Sequence, residues 1–79
     1  MKKKLISYIE SELLNGQYSV SEDQDLLVSG LVDSIGIVRL VAFIEKELNI
    51  AIPPKDLTLE NFGSVALIAR YVDSQAGSP

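Results

Sequence analysis

The most constraining feature of this 79-residue sequence is one apolar stripe. Ile37, Leu40, Val41, Ile44 and Leu48 recur at i, i+3, i+4, i+7 and i+11, the spacing that puts every member on one face of a single α-helix. A helix with so continuous an apolar face must be covered by other elements, and the rest of the chain supplies helices to do it. Leu5, Ile6, Ile9 and Leu13 repeat the period and Asn15-Gly16 ends it, which predicts a helix over about residues 3 to 15. Val65, Ile68, Ala69 and Val72 predict a last helix over about residues 64 to 74, and Thr58 or Asn61 can open a short fourth one around 58 to 63. There is no hairpin signal and no internal repeat. The expected fold is all-α, a small three-to-four-helix bundle with a long loop before the central helix. One domain is expected over residues 1–74, with 75–79 a disordered tail.

Composition narrows the chemistry. Hydrophobic residues make up 47% of the chain, enough to fill one small core. There is no cysteine and no histidine, which removes disulfides, thiolate metal sites, the commonest general base and every Ser-His or Cys-His pair. A self-contained catalyst at neutral pH is therefore not expected. Eleven acids against seven bases give a net charge of −4, the wrong sign for a nucleic-acid partner. Lys2, Lys3 and Lys4 are the one basic run and are expected to be a solvated N-terminus. No apolar stretch approaches the roughly 18 residues of a membrane span, and no secretory leader is evident, so a cytoplasmic monomer without membrane contact is expected.

Between the first two helices, residues 17–33 carry four acids (Glu22, Asp23, Asp25, Asp33) and no Lys or Arg, with Leu26, Leu27 and Leu31 as apolar pins. An ordered loop strapped across the core is expected. Asp33 or Ser34 caps the central helix, Asn49 can end it in a left-handed conformation, and Ile50, Ile52 and Pro53-Pro54 form an extended connector. Ser34 therefore stands exposed beside the free N–H groups of a helix N-terminus, a place that favours a bound or covalently held phosphate. By itself Asp33-Ser34-Ile35 reads as an ordinary cap. Asp33 could in addition help position a metal-bound donor.

The frame around that tripeptide changes its reading. Leu26-Leu27, Gly30-Leu31, Asp33-Ser34-Ile35, the helix from Leu40-Val41 through Glu45-Lys46-Glu47-Leu48, Ile50-Ala51-Ile52-Pro53, Leu57-Thr58, and Phe62, Val65, Ile68, Ala69, Tyr71 and Val72 together resemble the acyl carrier and peptidyl carrier protein family over about residues 4 to 73. The resemblance implies a 4′-phosphopantetheine arm, taken from coenzyme A by a magnesium-dependent phosphopantetheinyl transferase and attached to Ser34. It implies a non-catalytic, free-standing carrier that holds acyl, aminoacyl or peptidyl groups as thioesters on the arm. An acyl- or aminoacyl-activating ligase would load it, and a downstream synthase or transferase would unload it. The missing cysteine then has a simple account, since the reactive sulfur belongs to the cofactor.

Family members of the fatty-acid type resemble one another in an acidic central helix, and this chain departs from that pattern. Arg39 and Lys46 balance Glu45 and Glu47, Gly36 stands where an acid is frequent, and the acidity lies in the preceding loop. A specialised pathway (polyketide, nonribosomal peptide or aminoacyl transfer) is expected, with a fatty-acid-synthesis carrier or a D-alanyl carrier as alternatives. Ile35, Val38, Arg39 and Ala42 are the expected partner-binding residues; the competing possibility is a helix simply buried more broadly. Gly36 is expected to provide a flat surface for a close approach, or merely to be tolerated in a first turn. Tyr8, Phe43, Phe62 and Tyr71 are expected in or around the core, with Phe43 and Phe62 as the pair that could line a groove for a short acyl chain. Lys55 and Asp56 are expected on a solvated loop. Outside the carrier class, a helical interaction module would use Asp33-Ser34 only as a cap, and a hydrolase would need a base for Ser34 that this chain lacks.

Overall fold

The computed structural model describes residues 1–76, which form four α-helices and, among the described residues, no strand. Helix α1 (Lys2–Tyr8) continues directly into a wider π-helical segment, Ile9–Leu13. There the Leu14 N–H reaches back five residues to the Ile9 carbonyl at 2.9 Å. The stop comes where it was expected: Asn15 and Gly16 both take positive φ (55° and 73°), and the Gly16 N–H closes on the Glu10 carbonyl at 2.7 Å. The lysine run is helical rather than loose. Lys2 pairs with Glu22 and Lys4 with Glu47, each at 3.2 Å, exposed contacts worth about 0–1 kcal/mol apiece.

The loop that follows is ordered by two kinds of anchor. Leu26 is fully buried and Leu27 and Leu31 are half-buried, as the pins were expected to be; Val20 and Val32 are buried as well. Polar anchoring comes from acids that the composition made look like surface charge. The Asp25 carboxylate accepts the N–H groups of Leu27, Val28 and Ser29 at 3.2, 3.0 and 2.7 Å, and Glu10 accepts that of Val20 at 2.7 Å. The backbone ties the strap to the far side of the bundle, Leu26 N–H to the Gly63 carbonyl and Ala66 N–H to the Glu22 carbonyl, both at 2.8 Å.

Helix α2 (Ser34–Leu48) is capped by Asp33, whose side chain accepts the Gly36 N–H at 2.7 Å, and ends at Asn49 with φ 54°. Of the apolar stripe, Leu40 and Ile44 are fully buried and Ile37, Val41 and Leu48 pack on the rim of the core. The connector is pinned by the Glu45 carboxylate, which accepts the Ile52 N–H at 2.8 Å. A 3-10 turn (Pro54–Asp56) leads to α3 (Leu59–Phe62), capped by Thr58. Helix α4 (Val65–Ala76) begins at Ser64, whose Oγ accepts the Leu67 N–H at 3.2 Å. It runs two residues past the expected end at 74, taking Gln75 and Ala76 out of the expected tail; 77–79 lie outside the described residues. Leu5, Ile9, Leu26, Leu40, Ile44, Phe62, Ile68 and Val72 meet in one core to which all four helices and the strap contribute.

Candidate functional site

The site grows from the α2 N-terminus. A helix leaves its first N–H groups without intrahelical acceptors. Asp33 takes care of one of them here, its carboxylate accepting the Gly36 N–H, while its carbonyl accepts the first intrahelical bond from Ile37 at 2.9 Å. Those of Ser34 and Ile35 have no protein acceptor among the described residues. Ser34 is exposed, and its hydroxyl has no hydrogen-bond partner among the described residues. The cap places a primary hydroxyl at the positive end of a helix dipole with two donors to spare, a setting suited to a phosphodiester. Asp33 acts as the cap through Oδ1. Its other carboxylate oxygen is uncommitted among the described residues, which leaves it chemically able to take part in a cation site during loading.

Two hollows flank this point. One, of about 360 Å³, is mainly apolar and is lined by Leu27, Gly30, Val32, Asp33, Ser34, Ile37, Leu57 and Phe62. The other, of about 210 Å³, lies toward α1 and is bordered by Leu13, Ile35, Gly36 and Arg39 with the 30–33 strap between the two. An arm on Ser34 would start on the rim of the first, so the residues present fit a phosphopantetheine group in both charge and space.

The wall of the larger hollow is held by a contact that was not foreseen. The Tyr71 hydroxyl donates to Asp56 Oδ2 at 2.6 Å, while the Asp56 carbonyl accepts Thr58 N–H at 2.9 Å and Asn61 Nδ2 at 3.0 Å. Tyr71 also packs on Phe62, ring centroids 5.5 Å apart. This fixes the segment that presents Leu57 and Phe62 to the hollow. Burial, then the hydrogen bond to Asp56 and its negative charge, push the Tyr71 phenol up to about 12. Asp56 is thus half-buried and bonded, against the expectation of a solvated loop; Lys55 is exposed as expected. Nothing in the local sequence pairs positions 56 and 71, so no signal in one dimension pointed to the contact.

Two further expectations are corrected. Phe43 and Phe62 do not share a groove. Phe43 stacks on Tyr8 between α1 and α2, centroids 4.3 Å apart and rings 18° from parallel, while only Phe62 borders the hollow beside Ser34. Gly36 offers no flat outer surface. It is buried, and a Cβ there would lie 3.0 Å from Val32 Cγ1 and 3.2 Å from Asp33 Oδ1, so the strap packs where a side chain would stand.

The outer face of α2 is not a broadly buried helix. Ile35 and Val38 are 72% and 63% exposed, and Arg39 and Ala42 are exposed beside them. Arg39 also reaches the π-helical segment, donating from Nη1 to the Glu12 carbonyl at 3.3 Å, and its own carbonyl accepts the hydroxyl of Tyr8 at the end of α1 at 3.3 Å. No group of three or more His, Cys, Asp or Glu side chains is arranged to hold a metal ion among the described residues, and no described helix is long and apolar enough to cross a membrane.

Residues 3–72 match the protein family described as "Phosphopantetheine attachment site". The chain is similar to the D-alanyl carrier protein of Streptococcus suis (strain 98HAH33), at 34% identity over 62 residues, 78% of each chain. It is similar to the D-alanyl carrier protein of Lactococcus lactis subsp. lactis (strain IL1403), at 25% over 75 residues and 95% of each chain. A third relative, aminoacyl carrier protein 2 of Bradyrhizobium diazoefficiens, is 31% identical over 81 aligned positions that take in 99% of this chain and 89% of that one.

Proposed function

This chain belongs to the phosphopantetheine-attachment family, and from that premise we propose that Ser34 bears the 4′-phosphopantetheine arm and that the thioester it carries is aminoacyl. The observation that carries the assignment is the exposed, unpartnered Ser34 hydroxyl at the start of α2, with the spare N–H groups of Ser34 and Ile35 beside it and an apolar hollow of about 360 Å³ alongside. Loading is an attack by that hydroxyl on the pyrophosphate phosphorus of coenzyme A that bears the pantetheine; the serine–phosphate ester forms, the P–O–P bond breaks and 3′,5′-ADP leaves. The chain has no histidine to take the hydroxyl proton, and we assign that role to a base of the transferase. Asp33 holds the hydroxyl in place by capping α2, and its free oxygen is available to the magnesium ion the transferase brings.

The cargo assignment draws on the relatives, named D-alanyl and aminoacyl carriers; D-alanine is the first amino acid to try. We further propose that residues 1–76 act as one carrier domain with no turnover of its own, meeting its transferase, an ATP-dependent amino-acid ligase and an acceptor enzyme through Ile35, Val38, Arg39 and Ala42. Its place is the cytoplasm, where coenzyme A and ATP are supplied.

The test is stepwise. Incubation with coenzyme A, magnesium and a broad-specificity transferase should add the mass of one phosphopantetheine to the wild type and none to Ser34→Ala. The loaded protein, offered to a panel of amino-acid ligases, should then gain one amino acid in a form that hydroxylamine releases. A gain on Ser34→Ala would refute the attachment site. Charging only by fatty-acyl ligases would refute the cargo class.

A further inference from the structure

Helix α2 carries two acids and two bases, but the two signs are segregated, because both acids are turned away from its outer face into contacts with the connector and α1. The Glu45 carboxylate accepts the Ile52 N–H at 2.8 Å and so belongs to the connector. Glu47 pairs with Lys4 of α1 at 3.2 Å. The bases are different. Neither Arg39 nor Lys46 meets a carboxylate among the described residues; Arg39 reaches only the neutral Glu12 carbonyl, and the nearby Asp33 carboxylate is bound to the Gly36 N–H.

Position on the helix completes the pattern. Ile35, Val38, Arg39, Ala42 and Lys46 fall at i, i+3, i+4, i+7 and i+11, so they share one face. All five are exposed. At 100° per residue Glu45 and Glu47 lie to either side of this stripe, turned toward the connector and α1. A molecule with a net charge of −4 thus shows, directly down-helix of Ser34, a face made only of apolar side chains and cations.

We infer that this face docks enzyme surfaces that are acidic around an apolar seat: carboxylates opposite Arg39 and Lys46, and a hydrophobic pocket for Ile35 and Val38. Charge complementarity selects this occupant, because a basic surface would meet two uncompensated cations at close range, where like charges suppress association. The apolar pair supplies the desolvated centre of the contact and the cations its orientation. The inference rests on Ser34 being the attachment point, since that is what brings an enzyme to this end of α2, and the partner in question is the ligase that charges the arm.

The test uses the full chain in its arm-bearing form, with complete loading verified by intact mass before any kinetics, so that failure at Ser34 is seen separately. The probe is whichever amino-acid ligase of the panel charges the wild type with the highest kcat/KM. Lys46→Glu should raise the KM for the carrier about threefold, and Arg39→Glu with Lys46→Glu about tenfold or more, with kcat within about twofold. Arg39 also braces the π-helical segment, so the Lys46→Glu result stands by itself if the double variant melts early. An unchanged or lowered KM for Lys46→Glu would overturn the inference, as would a panel in which no ligase charges the loaded wild type.

Discussion

Replacing Gly36 by alanine sets two opposite effects against each other, and the structure decides which one wins. Glycine inside a helix costs up to about 1 kcal/mol relative to alanine, so propensity alone makes Gly36→Ala stabilising. The added methyl, however, would stand 3.0 Å from Val32 Cγ1 and 3.2 Å from Asp33 Oδ1. Neither neighbour yields easily. Val32 is buried and its N–H is bonded to the Leu26 carbonyl at 2.9 Å, while Asp33 Oδ1 caps the helix through the Gly36 N–H itself. Overpacking costs about 1–3 kcal/mol, and a weakened cap adds about 1. The net expectation is a loss of about 1–3 kcal/mol, which lowers Tm by about 4–24 °C in a domain of this size. Thermal and urea melts followed by circular dichroism measure it. Val32→Ala should absorb part of the penalty, so the double variant should lose less than the sum of the two single ones. A Gly36→Ala protein as stable as the wild type, or more so, would refute the packing account.

Tyr71→Phe should remove a pH dependence. A phenol raised to about 12 in the folded state stabilises the fold below the unfolded value near 10 and loses that contribution as pH climbs from 10 to 12. A rise from 10 to about 12 would amount to nearly 3 kcal/mol, and solvent around half-buried Asp56 trims this to about 1–2. Urea melts should therefore show the wild type losing its advantage over Tyr71→Phe across that window, and parallel curves would contradict the Tyr71–Asp56 bond. Asp33→Asn keeps a capping oxygen and should leave Tm within a few degrees, whereas Asp33→Ala should cost about 1 kcal/mol. If the free carboxylate oxygen also serves loading, Asp33→Asn will slow modification by the transferase without a stability change. Phe62→Ala empties the centre of the core and should cost about 3–5 kcal/mol, enough to leave much of the protein unfolded at 37 °C in a denaturation assay.

What the sequence made legible was whatever obeyed a period or a cap. The stripe from Ile37 to Leu48, the stop at Asn15-Gly16, the caps at Asp33 and Thr58 and the terminator Asn49 all rest on interactions within a few residues of chain. The same locality placed Ser34 at an exposed helix start. Long-range partners left no such trace. Val20 is a core residue isolated in a polar stretch, and Val32 one in a loop without a period to reveal it. The pairing of Phe43 with Tyr8, and of Tyr71 with Asp56, depends on how the helices are rotated against each other. Counting charges also misled. Glu45, Asp25 and Glu10 look like surface acids in one dimension, yet each is bound to backbone N–H groups in three. For that reason the neutral tally of α2 concealed a face of cations.

The account depends most on where the arm is joined. Ser7, Ser11, Ser19, Ser21, Ser29 and Ser74 are exposed too, but none of them begins an α-helix beside two spare N–H groups. Protein modified by the transferase, digested and fragmented in a mass spectrometer, locates the attachment directly. The phosphopantetheine should be found on Ser34 and nowhere else. Its presence on another serine, or an unmodified Ser34 after exhaustive incubation, would contradict the central claim.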